Sequence, residues 1–134
     1  MQKETLTLST NPKELDRLAA FSESLSESLG LNDDLTYRVM LTLSEAVTNA
    51  MVHGNKNDPK KKVHVEATAE KGVLSFTVSD EGPGFDPASL PDPTLESNLL
   101  KTSGRGVWLI HQFADQVHYC EHGNKVHIVF NINS

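Results

Sequence analysis

Three short stretches of this 134-residue chain carry side chains whose types and spacing could do chemistry. Glu45, Asn49 and His53 stand at i, i+4 and i+8, so a helix carries all three on one stripe. Asp80-Glu81-Gly82-Pro83-Gly84 follows an alternating run that reads as a strand. An Asp at a strand end can accept a hydrogen bond from an exocyclic amine, and the glycines let the backbone approach a flat ligand closely. Ser103-Gly104-Arg105-Gly106 leads into an apolar run. Free backbone N–H groups at a helix start form a cradle for an anion, and Arg105 can add a charge-assisted contact to phosphate. Taken singly, each stretch also fits a plainer reading: a partly solvated helix face, a β-turn, and a loop that leads into a helix.

The elements that must position these groups follow from periodicity. Leu35, Val39, Leu43, Ala46, Val47 and Ala50 repeat at helical spacing and form an apolar face. The polar stripe lies away from that face and is flanked by Leu41 and Val52, so one side of the helix builds core while the other lines a pocket. This helix starts near Asn32, with Asp33 and Asp34 suited to its positive end, and runs to about His53, where Gly54-Asn55 stop it. A preceding helix opens at Asn11-Pro12, buries Leu15, Leu18, Leu25 and Leu29, and ends at Gly30. Alternation predicts strands at 5–9, at Val63–Ala69 and at Leu74–Val78, with Lys71-Gly72 as a hairpin turn. The proline-rich stretch 80–103 reads as a long binding loop. A short helix through Val107–Phe113 follows, then strands around Val117–Tyr119 and Val126–Ile132. The order β-α-α-β-β-loop-α-β-β predicts a two-layer α+β sandwich, a largely antiparallel sheet with helices on one face. Residues 1–134 read as a single domain.

Composition narrows the function classes. A formal net charge of −6 argues against a direct nucleic-acid binder and against an anionic membrane surface as partner. Lys60-Lys61-Lys62 is the only basic cluster and reads as a solvated turn. No apolar run approaches the roughly 20 residues that span a bilayer, and Met1–Thr5 is not followed by a signal-peptide core. A single cysteine, Cys120, cannot form an internal disulfide and agrees with a cytoplasmic setting.

Taken together and in this order, Glu-x-x-x-Asn-x-x-x-His, Asp-x-Gly-x-Gly and Gly-x-Gly resemble the motifs of the GHKL, or histidine-kinase-like, ATPase superfamily. Within it, Ser-Glu-Ala-Val-Thr-Asn-Ala-Met-Val-His-Gly (44–54) is similar to the anti-sigma factor serine/threonine kinases. The resemblance implies a Bergerat-type ATP-binding fold and a protein that binds ATP with Mg²⁺. It places Glu45 as the general base for an accepting hydroxyl and Asn49 as the Mg²⁺ ligand through its side-chain oxygen. Asp80 matches the acceptor of the adenine amino group, with Gly82 and Gly84 beside the base. Gly104 and Gly106 match the phosphate-side glycines, with Ser103 and Arg105 at the same end, and His53 matches a residue near the nucleotide.

The implied partners are a STAS-domain anti-anti-sigma protein, which is phosphorylated, and a sigma factor or other regulatory client, which is held inactive. Family members commonly dimerise, so a homodimer is expected. One departure stands at the final hairpin, where Gly123-Asn124 replaces the Gly-Thr pair of many members. Two rival readings are a sequestration module without kinase activity, with or without nucleotide, and a detached histidine-kinase ATP domain.

Overall fold

The computed structural model describes residues 2–82, 110, 112–119 and 124–132. Five strands form one sheet: β1 (Gln2–Ser9), β2 (Lys62–Glu70), β3 (Val73–Asp80), β4 (Gln116–Tyr119) and β5 (Lys125–Asn131). Their order across the sheet is β1-β2-β3-β5-β4, and every neighbouring pair is antiparallel. Two helices, α1 (Leu15–Leu29) and α2 (Asp33–Asn49), cover one face. The two-layer α+β arrangement expected from the sequence is therefore the observed one.

Local signals explain the boundaries. Asn11 accepts from the Lys13 N–H with its side chain, and a short 3₁₀ turn, Pro12–Glu14, leads into α1. Gly30 takes the left-handed conformation at φ 65°, and the Gly30 and Leu31 N–H groups close the helix on the Glu27 and Ser26 carbonyls. Asn32 caps α2 by accepting from Leu35 N–H at 2.8 Å. Lys71 (φ 52°) and Gly72 (φ 78°) both have positive φ, which suits the twist of the β2–β3 hairpin.

The core lies between the layers. Val39, Leu43 and Val47 of α2 are fully buried against a sheet face that includes Leu8, Val65, Phe76 and Ile128. Phe76 and Phe130 meet edge-on at 6.1 Å, the arrangement that ring quadrupoles favour. Alternation holds where it was expected: β2 buries Val63, Val65 and Ala67, and β5 buries Val126, Ile128 and Phe130, with less buried residues between them.

Two boundaries differ from the sequence reading. β1 begins at Gln2 rather than Thr5, because residues 2–4 pair with Ala67–Ala69 although Lys3 and Glu4 are exposed. The α-helical part of α2 ends at Asn49, and Ala50–Gly54 continue it as one π turn. Of the expected third helix, Ile110, Gln112 and Phe113 are helical, with Ala114 N–H donating to the Ile110 carbonyl. Ile110 is buried in the core, and Arg38 of α2 donates to the Phe113 carbonyl at 2.6 Å.

Candidate functional site

Helix α2 has to place its polar stripe at the margin of the core. Ala46, Val47 and Ala50 point into the sheet and are buried, which leaves Glu45 and Asn49 partly exposed beside them. Neither side chain makes a hydrogen bond or ion pair with another described residue. Among the described residues, nothing occupies either head, and Ala46, Val47 and Ala50 beside them are buried.

The last turn of the helix is widened. Asn55 N–H donates to the Ala50 carbonyl at 2.7 Å and Asn57 N–H to that of Met51 at 2.8 Å. π turns of this kind occur often at functional sites. The extra residue in the turn rotates His53 away from the position a continuous α-helix would give it. His53 is partly exposed.

The widened turn delivers Gly54 onto the end of β3. Gly54 is buried, and a Cβ built on it would overlap the Asp80 carboxylate. Gly82 is equally confined, since its Cβ would overlap the Gly54 carbonyl. At these two positions a missing side chain allows close approach of helix end and strand end. The Asp80 carboxylate accepts from Gly82 N–H through Oδ1 at 2.9 Å. Its own N–H donates to the Asn124 carbonyl at 2.9 Å, so the hairpin departure noted in the sequence lies beside Asp80. Burial pushes the Asp80 carboxyl above its ordinary value, opposed by the Gly82 N–H and by the charge of Lys61. A partly desolvated carboxylate with one oxygen already satisfied is a strong acceptor for one further donor.

Asn55, which the sequence reading used only as a helix stop, is the joint of this assembly. It is 1% exposed. Its Nδ2 donates to Thr10 Oγ1 at 2.9 Å and to the Lys62 carbonyl at 3.0 Å, and its Oδ1 accepts from Glu81 N–H at 2.8 Å. Thr10 Oγ1 in turn donates to the Lys61 carbonyl at 2.7 Å. One side chain thus ties together the ends of α2 and β1, the start of β2 and the loop after β3. Glu81 adds an outer brace. It accepts from Lys62 N–H at 2.8 Å and pairs with His64 at 3.1 Å, and these two contacts hold its carboxyl below the usual range.

Of the residues singled out in the sequence, the structure brings Asp80 and Gly82 together against Gly54, the residue that follows His53. Asn49 and Glu45 lie upstream along the same axis. By helical rise, Glu45 is roughly 13 Å from Gly54. Gly84, Ser103, Gly104, Arg105 and Gly106 lie outside the described residues. The roles of Gly54, Asn55 and Thr10 escaped the sequence reading because, apart from Lys62, their partners are 26 to 51 residues away. Among the described residues, no group of three His, Cys, Asp or Glu side chains could hold a metal ion by itself. A magnesium ion that keeps waters and phosphate oxygens needs no such cage, and the free oxygen donor of Asn49 fits it.

A single antiparallel sheet with helices on one face, with one helix end seated on an acidic strand end, is the arrangement of the histidine-kinase-like ATPase fold. The chain is similar to the RsbU and RsbW domains of Rv1364c from Mycobacterium tuberculosis, with a TM-score of 0.66 at 14% identity over 97% of this chain and 32% of that one. It is also similar to the nucleotide-free catalytic domain of the histidine kinase ThkA, with a TM-score of 0.53 at 14% identity over 98% of both chains. Residues 8–130 match the family model described as the histidine kinase-like ATPase domain.

Among sequence relatives, the anti-sigma F factor of Geobacillus thermodenitrificans (strain NG80-2) is 38% identical over 103 residues, 75% of this chain and 67% of that protein. The anti-sigma F factor of Bacillus licheniformis is 30% identical over 122 residues, 87% of this chain and 80% of that protein. The chain belongs to the histidine kinase-like ATPase domain family and, within it, to the anti-sigma factor kinases. Among the described residues, no helix is long and apolar enough to cross a membrane.

Proposed function

We propose that this protein is a cytoplasmic, ATP-dependent serine/threonine kinase of a partner-switching system, with residues 1–134 forming one domain. It holds a sigma factor or similar regulatory client and phosphorylates a STAS-domain antagonist. The observation that carries this reading is the seating of Gly54 on the Asp80 carboxylate, with Asn49 and Glu45 upstream on the same helix and free of described partners. The similarity to anti-sigma F factors supports the choice of client.

In this reading Asp80 accepts the amino group of adenine, and Gly82 keeps the backbone close to the base. Asn49 offers its side-chain oxygen to Mg²⁺, and the ion supplies charge neutralisation at the phosphates. Glu45 draws the proton from the accepting serine or threonine hydroxyl. Ser103, Gly104, Arg105 and Gly106 serve the phosphate end, Gly84 the base and His53 the nucleotide's flank. The working form is a homodimer.

Calorimetric titration with MgATP tests the pocket. Wild type binds, and Asp80→Asn and Asn49→Ala bind more weakly. Glu45→Ala keeps MgATP affinity but loses transfer to a STAS-domain acceptor. Transfer at wild-type rate by Glu45→Ala would remove the base assignment. Absence of MgATP binding by folded wild type would leave sequestration without nucleotide.

A further inference from the structure

We propose that Asn55 is a positioning residue that sets base selectivity: by fixing the peptide after Asp80, it aims that carboxylate at a 6-amino group. The inference rests on the ATP-binding reading above and adds to it a residue that never touches the ligand.

The amide orientation of Asn55 is dictated by its surroundings. Thr10 spends its hydroxyl proton on the Lys61 carbonyl, so towards Asn55 it can only accept. Lys62 offers a carbonyl, again an acceptor. Both must face Nδ2. That leaves Oδ1 for the Glu81 N–H, which lies at 2.8 Å. Every side-chain hydrogen-bonding proton of Asn55 is used, and the residue is buried, so no water competes for it.

Holding the Glu81 N–H fixes the plane of the Asp80–Glu81 peptide. The Asp80 carboxylate then has little freedom, because Gly54 confines it on one side and the Gly82 N–H holds Oδ1. Oδ2 has no hydrogen-bond donor among the described residues. A carboxylate oxygen accepts from an amino group and repels an oxo group, so a fixed Oδ2 discriminates adenine from hypoxanthine. A loosened one can swing aside for either. Selectivity therefore depends on a side chain buried behind the pocket.

The test compares MgATP with MgITP, which differ at position 6 of the base, on the whole chain. Wild type prefers ATP. In Asn55→Ala, ATP affinity falls about tenfold or more while ITP affinity stays within about twofold, so the ratio collapses towards one. A purely structural role lowers thermal stability but moves both affinities together; an unchanged ATP/ITP ratio in folded Asn55→Ala overturns the proposal. Thr10→Val removes one partner of Asn55 more gently and covers the case in which Asn55→Ala does not fold. It narrows the ratio in the same direction by a smaller factor, and an unchanged ratio there overturns the proposal equally. Failure of wild type to bind either nucleotide would instead overturn the ATP-binding reading and this inference with it.

Discussion

Gly54→Ala adds a single methyl group at the closest contact between α2 and β3. The new carbon would stand 2.7 Å from Asp80 Oδ1 and nearer still to the rest of the carboxylate, whereas ordinary contact begins at 3.4 Å. Helix end and strand end must part by roughly 1 Å, a misplacement that in a positioned site costs far more than a surface adjustment. Forcing a methylene-sized group into packed structure costs about 1–3 kcal/mol. For a chain of this size that lowers the melting temperature by roughly 5–10 °C. If Asp80 accepts from the ligand, the shift also weakens a charge-assisted hydrogen bond of about 1.5–3 kcal/mol, or roughly 10–100-fold in affinity.

Gly30→Ala is the matched control. Gly30 is left-handed at φ 65° with nothing within 4 Å of an added Cβ, so its cost of about 1 kcal/mol is backbone strain alone. The assay pairs thermal unfolding with calorimetric MgATP titration for both variants. Gly54→Ala loses stability and affinity, and Gly30→Ala loses stability only. Equal MgATP affinity in the two variants would refute the claim that the Gly54–Asp80 contact shapes the pocket.

Other expectations follow from burial. Asp80 keeps its proton to higher pH in the folded chain than in the unfolded one. As pH rises through the ordinary carboxylate value towards the raised one, the unfolded chain releases a proton that the folded chain retains, so stability falls. Asp80→Asn removes that loss and melts higher than wild type at neutral pH without nucleotide, while binding MgATP more weakly; unfolding curves across pH for the two proteins check the difference. Thr42 is fully buried on α2 with a hydroxyl that has no partner among the described residues. Thr42→Val therefore stabilises the protein by about 1 kcal/mol in denaturant titration. Asn32→Ala removes the α2 cap and costs about 1 kcal/mol in the same measurement, with MgATP affinity unchanged.

Much of the architecture was legible from residue order because its causes are local. Asn11, Gly30, Asn32 and Lys71-Gly72 act through contacts a few residues away, so their caps and turns could be read directly. Alternation in β2 and β5 and the helical period of Leu35, Val39 and Leu43 reported which side faces the core. Glu45, Asn49 and Asp80 could be singled out because spacing on one element and position at a strand end are sequence properties.

The joint between those elements was decided only by tertiary structure. Gly54 looked like a helix terminator, yet its lack of a side chain is required by a carboxylate 26 residues away. The π turn that brings it there has no signature in propensity; it ends at Asn55, whose side chain bonds to Thr10, Lys62 and Glu81 at once. Local periodicity encodes which face of an element is apolar. The fit of one element's end against another depends on hydrogen-bond partners that adjacent positions in the chain do not specify.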